Sequence, residues 1–537
     1  MIVTRGEGTM FDLILKNCNL IDGSGAPARS ADLAVLDGKI AAIGKNLGDA
    51  HEIYDAAGAC VTPGFLDIHR HGDAEVFRPG FGNAELHQGL TTILNGNCGL
   101  SLAPFGDAHR VEILKYLTPI TGGEAGGIPT ESMNAYLSAL ERRALPLNVG
   151  MLVGGGTVRT DVCGYRAEAP DDYSPIHARL ERALSDGAFA VSLGLGYAPE
   201  CFYTTQELIR ALAPLDHSGI PIAVHMREEG DMVCDAVEEM LTVARALHTP
   251  LHISHLKAMG MRNWQKRIPH ALELMRRARE DGLDISCDVY PYTAGSTQLL
   301  HLLPPSLLEG GTDAISARLR EKSTRDWLRD QIQNAHDFDN IAQMVGWDNI
   351  VLSTLNLPEH QALTGLTVAQ AAKELRLDPV DCLCELLSSE NCGVTMIDRI
   401  TCEEDIRMIL RDPFASVISD STYPTVGLPH PRVYATCTRI LEKYVREEHV
   451  LTLSEAVRKL TSLPAQAMRL KTKGLLRVGM DADINVFRLE DVHERATYAD
   501  PRQTSLGMEL VLIAGVPALQ NGELAGNTPG RVLRAKR

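Results

Sequence analysis

The sequence predicts a parallel α/β fold, and within that class a TIM-type (β/α)8 barrel. From about residue 63 onward, apolar strand-like segments alternate with amphipathic helical segments over roughly 400 residues, a rhythm typical of parallel α/β proteins. Consecutive examples are "LNVGMLVGGG", "SPIHARLERALSDG", "FAVSLGLG" and "TTQELIRALAPLDHSG". Neither common Gly-rich phosphate loop follows a strand, which counts against the main alternative, a doubly wound nucleotide-binding sheet.

The two ends of the chain have a different, β-rich pattern. Residues 10–62 alternate short apolar runs with glycine-containing turns, as in "FDLILKNCNLIDGSG" and "ADLAVLDGKIAAIG". A similar pattern returns near the end, in "GLLRVGMDADINVFRLED" and "MELVLIAGVPALQNGEL". We predict that segments 10–62 and 471–537 pair into one small domain and that 63–470 forms the barrel. Residues 1–9 are interpreted as an upstream extension or a poorly ordered tail.

The barrel rhythm is interrupted once, at about 300–345. This stretch, "HLLPPSLLEGGTDAISARLREKSTRDWLRDQIQNAHDFDN" at its centre, is long, polar and helical in pattern. We interpret it as an inserted subdomain or lid within the barrel domain.

Composition excludes several classes of function. The chain has 537 residues and a net charge of −17, whereas nucleic acids and anionic membranes both require a basic face. No run approaches the ~18–20 uninterrupted apolar residues of a membrane span, and the N-terminus lacks the features of a secretory signal. The twelve cysteines show no disulfide framework, so we expect reduced thiols and a cytoplasmic protein. Cys382 and Cys384 are interpreted as core residues of one helix. The oligomeric state stays open.

A His-x-His pair follows the first apolar run of the predicted barrel. In "TPGFLDIHRHGDAE", His69 and His71 are one residue apart, and residues i and i+2 of a strand face the same side. Two imidazoles that share a space either share a metal or are solvated. The pair therefore needs partners from elsewhere in the chain.

Such partners stand at the ends of other apolar runs. In a β/α barrel, functional residues lie at the carboxyl ends of the strands. The runs end in Asn97-Cys98-Gly99, in His225, in His255 with Lys257 just beyond, and in Asp420. A thiolate with several imidazoles suits zinc better than magnesium or calcium. His252 precedes His255 by three residues and is interpreted as a packed or supporting residue.

Seven motifs in chain order carry a family resemblance. They are "PGFLDIHRHGD", "QGLTTILNGNCGLSLAP", "HMREEGD", "ISHLKAMG", "DVYPYTAGST", "SDSTYPTVGLPHPR" and "GMDADINVF". Together they resemble the N-acyl-D-amino acid deacylase branch of the amidohydrolase superfamily. The resemblance implies a TIM barrel beside a small β-sandwich built from both chain ends. It implies hydrolysis of N-acyl-D-amino acids to a carboxylic acid and a free D-amino acid.

The resemblance also implies a role for each site residue. Cys98, His225 and His255 would hold one zinc ion tightly, and His69 and His71 with Asp420 would form a second metal position, weaker or vacant. Asp420 would be the general base and acid. The substrate carboxylate would be bound by Lys257, Tyr290 and Arg432, with Ser296 in the same region. Tyr197, which closes the run "LGLGYAP", is a further candidate for the mouth of the barrel.

One departure concerns the loop after the predicted base. Such enzymes commonly read "SDG" with a further His nearby, whereas this chain reads "SDSTYP". The departure leaves the role of Asp420 in place and puts the position of Arg432 in question.

Several functions remain open at this stage. Between Ser296 and Arg318 only His301 is basic, and "LLHLLPPSLL" is apolar, which favours substrates with neutral or hydrophobic side chains over D-glutamate or D-aspartate. A cyclic-amide hydrolase of the hydantoinase or dihydroorotase type would need a bridging lysine, which "FAVSLGLGYAP" does not offer. A binding or assembly subunit with a decayed metal site is the non-enzymatic alternative.

Overall fold

The computed structural model describes residues 10–123, 125–424 and 426–537. The prediction for residues 1–9 lies outside this part of the chain. In chain order the strands are β1 Phe11–Leu20, β2 Arg29–Leu36, β3 Lys39–Gly44, β4 Ala50–Asp55, β5 Cys60–Pro63, β6 Phe65–Asp67, β7 Leu90–Asn95, β8 Asn148–Met151, β9 Val153–Gly154, β10 Val191–Gly194, β11 Ile222–His225, β12 Leu251–Ile253, β13 Ile285–Val289, β14 Ala294–Gln298, β15 Ile350–Thr354, β16 Thr395–Arg399, β17 Ala415–Val417, β18 Ile484–Phe487, β19 Met508–Ile513, β20 Val516–Gln520 and β21 Glu523–Leu524.

The helices lie mostly between the barrel strands. In chain order they are α1 Asn83–Leu86, α2 Arg110–Thr121, α3 Met133–Glu141, α4 Gly155–Cys163, α5 Ser174–Asp186, α6 Thr205–Ala211, α7 Val233–Ala246, α8 Arg267–Glu280, α9 Gly311–Leu319, α10 Lys322–Asn334, α11 Ile341–Val345, α12 Val368–Leu375, α13 Pro379–Ser389, α14 Glu403–Arg411, α15 Arg432–Arg439, α16 Leu453–Leu460 and α17 Ser462–Ala467. Residues Ile440–Glu447 continue α15 as a π-helix.

The central unit is a barrel of parallel strands. β6, β7 and β8 pair in that order, and β9 through β13 and then β17 form a second parallel run. A parallel bridge between Arg70 and Ser421 joins the loops after β6 and β17. The barrel strands are short and buried on both faces because helices cover them outside and side chains fill them inside. The prediction of a TIM barrel is confirmed.

The outer helices are amphipathic in the manner their sequences indicate. Helix α5 buries Ile176, Leu180 and Leu184, which repeat every four residues and so share one face. Helix α13 buries both Cys382 and Cys384 completely. Among the described residues, no helix combines the length and apolarity needed to cross a bilayer.

Strands from both chain ends form a second, curved sheet. Its order is β21-β20-β19-β18-β5-β1-β2-β3, and β4 also pairs with β1. β5 pairs with β18 in antiparallel register, which joins the two ends of the chain. Leu15, Leu33, Val61, Ile484 and Leu512 pack together inside the curve as a separate apolar core.

A further block of structure lies between β13 and β17. It contains the antiparallel sheet β14-β16-β15 and helices α9 to α13, including the helices predicted over 300–345. Ser296, His301 and Ile341 from this block line the cavity at the carboxyl end of the barrel. The block therefore covers the mouth of the barrel.

The last residues of the chain fill a seam in the barrel. β8 pairs with β7 on one side, but β9, not β8, pairs with β10. At the start of β8, Val149 forms a parallel bridge to Val532 of the C-terminal tail. The tail also donates from the Ala535 amide to the Gly187 carbonyl, just before β10. This tail lies at the end of the barrel opposite the cavity.

Candidate metal centre and active site

The predicted site residues converge at one end of the barrel. His69 and His71 follow β6, Cys98 follows β7, His225 ends β11 and His255 follows β12. Because the carboxyl ends of parallel barrel strands share one rim, their side chains point into a common space. The space is a cavity open to solvent, and its lining includes His71, Cys98, His225 and His255.

Two groups of donor atoms meet within this space. His69, His71, Cys98 and Asp420 each place one donor atom within 4.8 Å of the others, and Cys98, His225 and His255 do the same. Cys98 belongs to both groups. Its sulfur lies 3.2 Å from His69 Nε2 and 3.4 Å from His255 Nε2.

Asp420 closes the first group. Its Oδ1 lies 3.2 Å from His71 Nε2 and 3.4 Å from His69 Nε2. The two imidazole rings have centroids 5.5 Å apart, so the His-x-His pair shares one space, although β6 ends two residues before it. The side chains of His69 and His71 are both buried.

Three of these residues have a backbone conformation that is unusual for a non-glycine residue. Cys98, His255 and Asp420 have φ of +53°, +35° and +51°. A left-handed conformation costs energy for residues with a Cβ and persists where the surrounding structure enforces it, often at functional sites. All three residues lie two or three positions after the end of a barrel strand.

Asn97 fixes the loop that carries Cys98. Its Nδ2 donates to the carbonyl oxygens of Ile68, Arg70 and Leu94. Ile68 and Arg70 flank His69, so one buried amide ties the thiol loop to the imidazole loop.

The neighbours of Cys98 favour its thiolate. Burial raises the pKa of the Cys98 thiol, but His69 and His255 outweigh burial and hold that pKa well below its usual range. Burial lowers the pKa of His71, yet Asp420 and Cys98 raise it to about 9. The cluster thus holds negative charge on sulfur and oxygen, with protons on the surrounding rings.

This donor set fits a divalent metal ion. Imidazole nitrogen, thiolate sulfur and carboxylate oxygen are the ligands zinc uses in proteins. Protons held between such groups are released when a metal binds in their place. Among the described residues, the Nδ1 atoms of His69 and His71 have no hydrogen-bond partner, whereas both Nε2 atoms face the donor cluster.

Buried acids that the sequence analysis did not assign support the ligands. Glu229 Oε1 lies 3.0 Å from His255 Nδ1. Asp288 Oδ1 accepts from the backbone amide of His255. His252, predicted to be a supporting residue, lies 2.7 Å from Asp288 Oδ2. Glu229 is part of the motif "HMREEGD", and Asp288 is part of "DVYPY". In these motifs the sequence predicted a role for His225 and Tyr290 only.

Lys257 is already paired in this structure. Its Nζ lies 2.7 Å from both carboxylate oxygens of Glu229 and 2.8 Å from His255 Nδ1. Burial raises the pKa of Glu229, but His225, Lys257 and His255 lower it well below its usual range. Lys257 therefore faces the cavity with part of its charge balanced.

Arg432 lies beside Asp420, which answers the question raised by the "SDSTYP" loop. Arg432 Nη1 is 3.0 Å from Asp420 Oδ2, and its Nη2 donates to the Ser296 carbonyl. Its guanidinium lies 4.8 Å from the centre of the Tyr290 ring. Burial raises the pKa of Asp420, and Arg432 with the rings of His69 and His71 lowers it well below its usual range.

The loop after Asp420 packs against the barrel. The Tyr423 hydroxyl contacts Arg70 and donates to Glu85 Oε1 at 3.0 Å. Thr422 Oγ1 lies 3.4 Å from Ser296 Oγ and lines the cavity. The altered loop thus leaves Arg432 at the site.

Aromatic and imidazole rings form another wall of the cavity. The Tyr197 ring packs between the rings of His225 and His301, tilted against both, with ring centroids 4.6 and 4.8 Å away. Burial and, to a smaller extent, His225 lower the pKa of His301 to about 3, so His301 is a neutral ring. His301 is the residue of the apolar run 299–308 that lines the cavity.

Comparison with known proteins agrees with this arrangement. A model of the amidohydrolase family matches residues 358–518. D-aminoacylase of Alcaligenes xylosoxydans xylosoxydans is 33% identical over 99% of this chain and 99% of its own length. N-acyl-D-glutamate deacylase of the same organism is 32% identical over 98% of this chain and 96% of its own.

Solved structures of deacylases are also similar to this chain. An N-acyl-D-glutamate deacylase from Bordetella bronchiseptica, complexed with zinc and a phosphonate mimic of the tetrahedral intermediate, is 29% identical. It covers 98% of this chain and 100% of its own, with a TM-score of 0.82. A D-aminoacylase structure covers the same shares at 30% identity and a TM-score of 0.80. An L-hydantoinase from Arthrobacter aurescens, 16% identical with a TM-score of 0.57, shares the fold.

Proposed function

Because the chain belongs to the amidohydrolase family, in the branch of D-aminoacylase and the N-acyl-D-amino acid deacylases, we propose that it hydrolyses N-acyl-D-amino acids to a carboxylic acid and a free D-amino acid. One observation carries this proposal. Cys98, His225 and His255 meet at the cavity, where Asp420 lies against Arg432. A set of residues able to bind a metal, a carboxylate that can act as a base, and a cation that can bind a substrate carboxylate thus lie in one place.

The residues divide into two metal positions. Cys98, His225 and His255 would hold one zinc ion tightly, and His69 and His71 with Asp420 would hold a second more weakly. Zinc, when bound, lowers the pKa of a coordinated water towards ~7 and polarises a carbonyl oxygen. Cys98 also belongs to the first donor group, so the two positions lie side by side.

Asp420 would move the proton. Its Oδ1 faces the donor cluster and its Oδ2 faces Arg432, so the carboxylate is fixed at both oxygens. Asp420 takes a proton from the attacking water and gives it to the leaving amine nitrogen. A positioned proton transfer of this kind contributes ~10²–10⁴-fold to the rate.

The substrate carboxylate would bind beside Asp420. Arg432 offers a planar fork suited to a carboxylate, and Lys257 offers a point charge. Tyr290 lines the cavity, and its hydroxyl would add a neutral hydrogen-bond donor. Ser296 and Tyr197 line the same cavity and would contact the rest of the substrate.

The cavity favours a substrate side chain that is not acidic. Lys257, which lines it, and Arg432, which lies beside Asp420, are both paired with acids, so the described lining residues include no unpaired lysine or arginine for a second carboxylate. An N-acyl-D-glutamate or N-acyl-D-aspartate deacylase is the nearest alternative. The net charge of −17 opposes a nucleic-acid partner, and the twelve free thiols, all among the described residues, suit a cytoplasmic location.

The test is a screen of N-acetyl-D-amino acids with added zinc. We expect hydrolysis of N-acetyl-D-methionine or N-acetyl-D-leucine, little turnover of the L-forms, and no turnover of hydantoin. Turnover of hydantoin without hydrolysis of any N-acyl-D-amino acid would replace this proposal with a cyclic-amide hydrolase. Protein that folds but holds no zinc would favour a binding or assembly role.

A further inference from the structure

One buried acid in the cavity has no role in the chemistry described above. Asp398 lies on β16, directly opposite Gly295 of β14. Its side chain lines the cavity and the residue is 2% exposed. Within the described structure its Oδ1 has no hydrogen-bond partner, and the residue forms no salt bridge.

The position of Asp398 places it beside the proposed carboxylate subsite. A methyl group added at Gly295 would lie 3.0 Å from Asp398 Oδ1 and 3.3 Å from the Tyr290 hydroxyl oxygen. Both oxygens therefore border the small space that the missing side chain of Gly295 leaves open. The same space is bordered by Ile400, whose Cδ1 would lie 2.9 Å from that methyl group.

The charges of the cavity make Asp398 different from its other acids. Glu229 is paired with Lys257, and Asp420 with Arg432. Asp398 is left without a cation, and burial raises its pKa to about 6 because Lys257 and Arg432 offset burial only in part. A buried carboxyl without a partner is costly unless a ligand supplies the missing donor.

We propose that Asp398 makes the enzyme selective for N-acyl-D-amino acids whose side chain is an aliphatic stem ending in a cation, as in D-lysine. The inference rests on the proposed function and narrows its substrate class. Asp398 would accept a charge-assisted hydrogen bond from the substrate cation, and Ile400, Met259 and Ile341, which line the cavity, would contact the stem.

The substrate side chain is the group placed to meet Asp398. The scissile amide must lie at the donor cluster and Asp420, and the α-carboxylate at Arg432 and Tyr290. An α-carboxylate would be repelled by a second carboxylate. The third substituent of the α-carbon, the side chain, therefore occupies the remaining space beside Tyr290, where Asp398 lies.

The experiment compares two substrates that differ in one group. Nα-acetyl-D-lysine and N-acetyl-D-norleucine have the same four-carbon stem, with and without the ammonium group. For the wild-type enzyme with zinc at pH 7.5, we expect kcat/KM for the lysine derivative to exceed that for the norleucine derivative by at least about 10-fold. Asp398→Asn should reduce this ratio by at least about 10-fold, because the amide keeps the size and loses the charge.

Asp348→Asn is the matched control, since Asp348 is exposed and does not line the cavity. It should leave the ratio unchanged. The wild-type ratio tests the inference even if Asp398→Asn does not fold.

The outcomes separate this inference from the proposed function. Hydrolysis of the norleucine derivative as fast as or faster than the lysine derivative overturns the role of Asp398 and leaves the deacylase function standing. An unchanged ratio in folded Asp398→Asn does the same, since it would mean that Asp398 contacts a group both substrates share. Failure to hydrolyse any N-acyl-D-amino acid removes the proposed function and this inference together.

Discussion

The Cys98 sulfur lies among imidazole nitrogens from the ends of three separate strands, and no other single atom joins both donor groups. A lowered thiol pKa among basic neighbours is typical of reactive and metal-binding cysteines, whereas burial in apolar surroundings raises the pKa of structural thiols. The remaining cysteines with a resolved pKa shift have that pKa raised by burial, for example Cys163.

We expect Cys98→Ser to weaken zinc binding by more than about 100-fold, because even outer partners of zinc ligands cost ~10–100-fold when removed. Affinity would be measured by competition with a chromophoric chelator. Cys163→Ser, at a buried thiol far from the donors, should bind zinc like the wild type. Equal affinity in both variants would exclude Cys98 from the metal position.

Asp420→Asn should reduce hydrolysis by at least ~10²–10⁴-fold, since an amide cannot take the proton from water. The zinc ion that we propose at Cys98, His225 and His255 should remain, because these three residues are unchanged. Zinc content by elemental analysis and kcat on N-acetyl-D-methionine test both parts. Substantial remaining activity in zinc-loaded Asp420→Asn would remove Asp420 as the base.

At the scale of elements, the carboxyl ends of the strands fit against one another closely enough to fix the metal donors. β10 ends at Gly194, where an added methyl group would lie 2.1 Å from the Cys98 carbonyl oxygen. The loop that carries the thiol therefore rests directly on the backbone of a neighbouring strand.

Gly194→Ala should displace this loop and lower zinc affinity and kcat/KM together, each by at least about 10-fold, while the far-ultraviolet circular dichroism stays that of a folded protein. Gly126→Ala is a suitable control because nothing lies within 4 Å of the added methyl group. Normal zinc binding by Gly194→Ala would show that the loop adjusts without moving the donor.

An ion cluster ties elements from both ends of the chain. Asp481 is buried and lies 2.5 Å from Lys39 of β3, 3.1 Å from Lys473 and 2.8 Å from Arg531 of the tail. Burial raises the pKa of Asp481, but Lys473, Lys39 and Arg531 lower it well below its usual range.

Asp481→Asn should lower the free energy of unfolding at pH 7 by about 2 kcal/mol, since hydrogen bonds to charged groups contribute about 1.5–3 kcal/mol. Because the folded-state pKa lies below the unfolded value of about 3.9, the stabilisation is complete above about pH 5 and is lost as the pH falls below about 4. Urea unfolding at pH 7, 5 and 4 should show the difference between the proteins constant and then shrinking. Asp49→Asn, at an exposed carboxylate, should show no difference at any pH.

Some of the site could be predicted from the sequence because its signal is local. The residue that ends an apolar run is visible in the sequence, and barrel topology brings such residues together, as with His225 and His255. Glu229 and Asp398 could not be predicted in this way. Asp398 reaches the cavity only because β16 pairs with β14, about a hundred residues earlier, a pairing that no local pattern indicates.

At the scale of the whole molecule, the two ends of the chain pair with each other, and the C-terminal tail contacts the barrel. The β-rich pattern of both ends predicted that they would pair, and β5 does pair with β18. The role of the tail could not be predicted, because "RVLRAKR" is short and basic and has no strand periodicity. Its contact with β8 depends on a seam that exists only in the folded barrel.

Removal of residues 530–537 should lower the free energy of unfolding by about 2–5 kcal/mol, because several backbone hydrogen bonds to the barrel, each worth about 0.5–1.5 kcal/mol, are lost. Zinc affinity should stay near that of the wild type, since the tail lies opposite the cavity. Thermal unfolding and zinc titration measure the two effects. Lys536→Gln, at an exposed side chain, is the control for charge loss. Unchanged stability after truncation would show that the seam closes without the tail.

The position of the tail determines when the barrel can close during synthesis of the chain. Asn148 and Arg531, which meet at the seam, are 383 positions apart along the chain. The ribosome must synthesise all of the residues between them before the seam of the barrel can close. The nascent chain therefore has an open apolar barrel edge during most of its synthesis. A bulky fusion placed directly after the tail would lie next to this seam.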